Sequence, residues 1–236
     1  MYVSIFCGEI MADIELQSKY NALLNEYSSS MDKRALAYIR ENFWKLKDSY
    51  EMPDILMQVY SELGILKDNV YLKHLEKIKN IFDINCNVLE IGGGMLPAFS
   101  NILAREQLRI GNGTVTVYDR LLATTKPKHP NMKLIKDEFT LKSDIKSFDL
   151  VLGIMPCDAT EIMIQKVCEA RKNFYLFMCG CNHFDFPQML MYGSSSESYQ
   201  RYIIKFANEL IDGEIGIDTF ENSYGLDYPV LYKKFH

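Results

Sequence analysis

The stretch NVLEIGGGMLPAFSNILA, residues 87–104, constrains the fold more than any other part of the chain. An apolar run enters three consecutive glycines, Gly92, Gly93 and Gly94, and Pro97 then opens an amphipathic helical pattern. Glycine permits a tight strand-to-helix turn and lets backbone approach a ligand closely, so something is expected to sit over this turn. A phosphate-cradling P-loop requires a Gly-Lys-Ser/Thr ending, and no such lysine is present. A dinucleotide fingerprint would use Gly92 and Gly94 but would place Pro97 where a third glycine lets helix and strand pack closely. The remaining reading starts from Glu90, a carboxylate at a strand end beside an open glycine turn. It suits a cationic ligand with hydroxyl groups. A glycine triplet after a strand is, by itself, also simply a turn.

From residue 87 onward strand-like runs occur at 87–91, 114–118, 132–135, 148–154 and 173–179, with helical stretches or loops between most of them. Such alternation predicts a parallel sheet covered by helices on both faces. The tail departs from it. Residues 214–220 and 228–235 are two strand candidates joined by a short loop with Asn222, Ser223 and Gly225, and without a helix between them they should pair antiparallel. The expectation is therefore an α/β chain with a mostly parallel seven-stranded sheet, an antiparallel C-terminal strand pair and a separate N-terminal helical region.

That region, residues 1–84, is expected to cap a sheet domain spanning 85–236. Leu36, Ile39, Phe43 and Leu46 recur at helical spacing, with Arg40, Glu41, Lys45 and Lys47 on the other face. Ser29 with Asp32 three residues on predicts a capping box, Pro53 suits a first helical position, and Gly64 suits a residue just past a helix end. A further helix is expected over 67–82.

The chain has 236 residues, 48% of them hydrophobic and 24% charged, which is the composition of a globular protein and excludes extensive disorder. The charge-free runs at 91–104 and 173–184 are shorter than a membrane span needs, and the N-terminus lacks the basic start of a secretory signal. Six cysteines without framework spacing suit a reducing compartment. A cytoplasmic protein is expected, with no membrane partner.

The run apolar, Glu90, x, Gly92, x, Gly94 resembles the first motif of the class I S-adenosylmethionine-dependent methyltransferases, with Leu96 at the third glycine position. The resemblance covers roughly residues 85–236 and implies a Rossmann-like methyltransferase fold with S-adenosyl-L-methionine as cofactor. It implies that Gly92, Gly93, Gly94 and Pro97 form the cofactor turn with Glu90 behind it. It further implies that Asp119, followed by Arg120, meets the ribose hydroxyls after the second strand. Asp137 and Glu138 would approach the adenine, Ile154 and Met155 would contact the cofactor, and residues 155–160, at the carboxyl end of the fourth strand, would border the transferred group. Asp119 and Asp137, taken alone, are equally at home in a turn and a loop cap.

Where amino-group methylases of this class carry Asn/Asp-Pro-Pro-aromatic, this chain has Met155, Pro156, Cys157 and Asp158, which argues against that kind of N-methylation. Asp158 is the candidate general base or orienting group; its residue type also suits a helix N-cap. Cys157 is read as a packed thiol, since nothing basic adjoins it in sequence. Cys179, Cys181 and His183 alternate, yet no second close pair of ligands accompanies them, so no metal site is expected.

Two further likenesses bear on the reaction. Gly94-Met95-Leu96-Pro97 resembles the glycine turn of nicotianamine synthases, which implies transfer of the cofactor's aminocarboxypropyl arm as the alternative to methyl transfer. The PCDAT and FYLFMCGC segments resemble methyltransferase-like proteins related to tRNA 2'-O-methylases, which implies RNA as an alternative acceptor.

Charge bears on that choice. The formal net charge is -5, and residues 1–84 carry ten basic and thirteen acidic side chains, so a general phosphate-gripping arm is not expected. Residues 120–146 run the other way, with seven basic side chains against three acidic ones. A small-molecule acceptor is favoured, RNA remains the alternative, and a binding module without turnover is the third reading. Oligomeric state is not legible.

Overall fold

The computed structural model describes residues 2–29, 31–46, 54–65, 70–124, 126–178, 196–221 and 227–235. Four helices come first: α1 (Tyr2–Ser28), α2 (Lys33–Leu46), α3 (Asp54–Glu62) and α4 (Val70–Ile81). The alternating part follows as β1 (Asn87–Ile91), α5 (Ala98–Ile110), β2 (Thr114–Tyr118), β3 (Met132–Ile135), β4 (Leu150–Ile154), α6 (Thr160–Glu169) and β5 (Asn173–Phe177). The chain ends with α7 (Ser196–Leu210), β6 (Gly216–Glu221) and β7 (Asp227–Lys233).

The seven strands form one sheet in the order β3-β2-β1-β4-β5-β7-β6. The first five are parallel, in registers such as Val88 beside Val115 and Leu89 beside Val151. β7 runs antiparallel to both neighbours, so it alone is reversed and inserts between β5 and β6. β1, β4 and β5 are covered on both faces, which is why they read as continuous apolar runs. Val88, Val115, Val117, Leu152 and Phe177 pack with α4 and α5 on one face, while Leu89, Val151, Phe174 and Leu176 pack with α6 and α7 on the other. No helix among the described residues is long and apolar enough to cross a membrane.

Leu36, Ile39 and Phe43 of α2 are buried with Tyr20, Leu23 and Tyr27 of α1 and Leu56, Val59 and Tyr60 of α3, as the helical spacing requires. The Leu46 side chain and Pro53 lie outside the described residues. This cluster extends to Leu96 and Ala123, which flank the carboxyl edge of the sheet. The Asp32 N–H donates to Ala123 O at 2.7 Å, and Met31 bridges Thr124, so the helices are tied to the loop after β2. α4 is different: Val70, Tyr71, Leu75 and Ile78 pack into the core of the sheet itself.

Several expected boundaries move. The capping box at Ser29 does not form. Asp32 is itself the cap, its Oδ1 accepting from the Arg34 and Ala35 amides at 2.8 and 3.2 Å, while Ser29 Oγ turns back to Glu26 O at the end of α1. A short side chain directly before the helix reaches those amides without a partner three residues earlier. The described helix within 67–82 is α4, and Gly64 does lie just past the end of α3. β4 begins at Leu150 and β5 ends at Phe177, while Asn222, Ser223, Gly225, Cys179, Cys181 and His183 lie outside the described residues.

Candidate active site

The sheet order reverses direction between β1 and β4, since the connections from β1 proceed outward one way to β2 and β3 and then return to β4. Connecting segments on either side diverge there and leave a crevice at the carboxyl ends of the strands. The glycine turn lies in that crevice. Gly92 has φ +75, and a Cβ on it would meet Pro156 Cα at 2.6 Å, so only glycine lets the turn back onto the end of β4. A Cβ on Gly93 would meet Val117 Cγ1 at 2.5 Å and lie 3.5 Å from Glu90 Oε2. Leu96, at the family's third glycine position, is fully buried in the N-terminal helical cluster. α5 then starts at Ala98, with Pro97 just before it.

Glu90 sits beneath this turn with only 2% of its surface exposed. Ser100 Oγ, from the first turn of α5, donates to Glu90 Oε2. Burial pushes the Glu90 carboxyl up to about 7, the Ser100 hydrogen bond opposes this, and the negative charge of Asp119 adds to it. The site therefore holds a desolvated carboxyl that gains from any cation placed against it.

Asp119 follows β2 and is held by two backbone donors: the Gly94 N–H reaches Oδ2 at 2.8 Å and the Leu121 N–H reaches Oδ1 at 2.6 Å. It thus fixes the glycine turn against the end of β2. Carboxylate oxygens accept more than one hydrogen bond, so both retain capacity for further donors. Next to it, Arg120 crosses the mouth of the crevice, with Nη2 at 2.9 Å from Asp158 Oδ2 and Nη1 at 3.8 Å from Glu138 Oε1.

At the end of β4 two non-glycine residues on either side of Pro156 adopt left-handed backbone, Met155 at φ +58 and Cys157 at φ +47. Such conformations cost of order 1–3 kcal/mol each and cluster where backbone is shaped around a ligand. The Met155 N–H donates to Phe177 O at 2.8 Å, which keeps this kinked segment attached to β5. Asp158 lies in a short 3-10 turn, Cys157–Ala159, ahead of α6. It does not cap the helix: the N-cap residue is Ala159, with no side-chain cap bond. Its exposed carboxylate is engaged by Arg120 instead.

Together these groups line a cleft with a cavity volume of about 190 Å³. The cleft gathers Glu90, Gly92, Gly93, Gly94, Asp119, Arg120, Glu138, Ile154, Met155 and Asp158. Pro97 instead lines a second cavity behind the turn, and Asp137 is outside the cleft lining, with its Oδ1 accepting the Glu138 N–H at 2.8 Å. The two neighbouring acids lie in the bend after β3, whose path brings Glu138 and not Asp137 to the cleft. Sequence reasoning missed Tyr71, Phe99, Tyr118 and Phe139, which supply aromatic walls. Nothing in their spacing separates them from core aromatics. Among the described residues no three His, Cys, Asp or Glu side chains gather as metal ligands.

No family model matches the chain, and no curated protein sequence matches it. Similar solved structures include an S-adenosylmethionine-dependent methyltransferase from Aquifex aeolicus, at 12% identity over 74% of this chain and 96% of that one, with a TM-score of 0.43. Another is the methyltransferase domain of the citrinin polyketide synthase, at 15% identity over 78% of this chain and 57% of that one, with a TM-score of 0.49. A nicotianamine synthase covers 83% of this chain and 69% of its own at 13% identity and a TM-score of 0.44. The sheet order, with its single reversed strand between β5 and β6, decides the fold class. The chain has the class I methyltransferase fold. Its departures within that fold are Leu96 in the glycine turn and the kinked Met155-Pro156-Cys157 segment where many amino-group methylases carry a Pro-Pro motif.

Proposed function

We propose that the protein is an S-adenosyl-L-methionine-dependent methyltransferase acting on a small molecule. The observation that carries this reading is the buried Glu90 carboxyl beneath a glycine turn that admits no Cβ, at the point where the sheet order reverses. The fit is chemical. A nucleoside with a cationic tail matches a carboxyl that burial holds at about 7, while the ribose hydroxyls match the remaining acceptor capacity of Asp119. Gly92, Gly93 and Gly94 would carry the tail, Ile154 and Met155 would border the reacting end, and Glu138 would stand near the base. Bound there, the cofactor would supply an electrophilic methyl carbon on a sulfonium.

The chain's own contribution is to hold two reactants in line and to keep water out. Tyr71, Phe99 and Phe139 wall the cleft, and the Arg120-Asp158 pair spans its mouth. Asp158 is proposed as the group that orients the acceptor once Arg120 releases it. A small acceptor is supported over RNA by the local chemistry of the 120–146 stretch: Arg120 is engaged by Asp158 and Lys128 by the buried Glu62, so those charges are spent within the fold.

Calorimetry with S-adenosylmethionine, S-adenosylhomocysteine and NAD tests the cofactor. Binding of both sulfur nucleosides and not NAD is expected, and binding of NAD alone would overturn the assignment. Mass analysis of the product then separates the reactions. S-adenosylhomocysteine marks methyl transfer, whereas methylthioadenosine would mark aminocarboxypropyl transfer, the alternative suggested by the Gly94-Met95-Leu96-Pro97 turn.

A further inference from the structure

Behind the glycine turn lies a second cavity of about 120 Å³, bounded by the carboxyl ends of α1 and α3, the first turn of α5 and the loop after β2. Roughly 10–15 Å³ of such space holds one water, so the cavity admits a small organic molecule. Its wall is polar and built. The Glu62 carboxylate, 4% exposed, accepts from Asn101 Nδ2 and from Lys128 Nζ, both at 2.6 Å. Those bonds fix the Asn101 amide with its Oδ1 buried and without a hydrogen-bond partner. Tyr27 Oη is buried beside the Glu62 carboxylate, whose charge and hydrogen bonding raise its ionisation further than burial alone. A buried polar atom left unpaired typically costs 1–3 kcal/mol, so Asn101 Oδ1 on this small cavity calls for a ligand that carries donors.

We propose that this cavity binds a small zwitterion of the α-amino-acid class. Asn101 Oδ1 is an acceptor only, and Tyr27 Oη can accept, so an ammonium with three N–H groups satisfies both at once. The cavity also carries two acids, Glu26 and Glu62, and two bases, Lys126 and Lys128. Lys128 is paired with Glu62, so that balance suits a ligand with both charges, its carboxylate meeting Lys126. Leu96, Pro97 and Leu134 supply an apolar side for a short aliphatic chain. The site is separate from the cleft of the proposed reaction: no residue lines both, although the β1–α5 segment and the loop after β2 contribute to each.

The test is titration of the full chain with L-alanine, without any nucleoside, read by calorimetry and by ligand-observed NMR. Saturable one-to-one binding is expected. Trimethylglycine, which has no N–H donor, methylamine, which has no carboxylate, and glycerol, which has neither charge, should each bind at least about tenfold more weakly, the loss of one charged hydrogen bond. Tyr27→Phe removes the oxygen beside Glu62 and keeps the packed ring, and Lys126→Gln changes an exposed side chain, so both variants should fold and both should weaken L-alanine by about tenfold. No saturable binding, equal binding of trimethylglycine or glycerol, or unchanged affinity in both variants would overturn the proposal and leave a water-filled cavity. Because no nucleoside is present, failure of this site and failure of the cofactor assignment are read separately.

Discussion

Cofactor binding should release a proton from Glu90, and the size of that release follows from its burial. The ordinary carboxyl value of 4.5 is raised to about 7 in the ligand-free fold because the side chain is desolvated, so about half of the molecules carry the proton at pH 7. A sulfonium or ammonium seated against the turn favours the ionised form. Binding should then expel about 0.5 proton at pH 7, about 0.9 at pH 6 and about 0.1 at pH 8, and apparent affinity should fall about tenfold per pH unit below 7. Calorimetry in phosphate and in Tris, whose ionisation enthalpies differ, reads the proton count directly. Glu90→Gln keeps the shape and an acceptor for Ser100, loses the charge, and should bind weakly with no proton release at any of these pH values. A wild-type chain that binds S-adenosylmethionine with no buffer dependence between pH 6 and 7 would refute the reasoning, as would an unchanged pH slope in Glu90→Gln.

The same linkage acts on stability with the opposite consequence. A raised carboxyl value stabilises the fold fully below pH 4.5 and loses that contribution as pH rises to about 7, so Glu90→Gln should stabilise the ligand-free protein at pH 8 by up to about 3 kcal/mol, several degrees in thermal midpoint. His74 works from the acid side: fully buried, with its ring against Phe220 and Nδ1 at 2.8 Å from Tyr175 Oη, it is pushed down to about 3 by desolvation and by Lys77. Unfolding lets it take up a proton below its ordinary value of 6.5, so denaturant melts should show about 2 kcal/mol lost between pH 7 and pH 5 through this residue, and the double variant His74→Phe, Tyr175→Phe should remove that slope. Gly93→Ala should weaken cofactor binding and be partly rescued by Val117→Ala, which removes the side chain its Cβ meets; Gly92→Ala should not be rescued, because its clash is with the Pro156 backbone and its φ is positive. A chain cut to residues 70–236 should stay more soluble in centrifugation assays than one cut to 85–236, because the shorter piece loses α4 and bares the sheet face covered by Tyr71, Leu75 and Ile78.

Legibility followed locality. The β1 strand, the glycine turn and α5 are contiguous, and each carries its own signal, so the fold class and most of the turn could be read from residues 87–104. The parallel strands were visible because both faces are covered, which leaves no polar alternation to blur the apolar run. Their ends were not. The apolar run from residue 148 takes in Asp149, yet β4 begins one residue later and the Asp149 carboxylate accepts the Asn87 N–H at 2.9 Å, fastening the entry of β1. The Arg120-Asp158 pair joins residues 38 positions apart and leaves no pattern in either segment. Glu138 and Asp137 are adjacent acids of like chemistry, and which of them turns inward depends on the path of the loop after β3.

The N-terminal helices show why a boundary read from helical pattern alone falls where it does. The α2, α3 and α4 segments carry the same period, so the sequence offers one change of grammar, at β1. Packing divides them differently: α1, α2 and α3 share a cluster that ends on Leu96 and Ala123, while α4 buries Val70, Tyr71, Leu75 and Ile78 against the sheet. Period reports which side of a helix is apolar and is silent about what that side meets. The difference matters for function because α4 places Tyr71 in the cleft, whereas α1 and α3 place Tyr27 and Glu62 in the cavity behind the turn. The β1–α5 segment is thus the shared wall of two cavities. Leu96 in place of a third glycine is what allows this, since its buried side chain fastens the turn to the helical cluster, where a glycine would have nothing to bury.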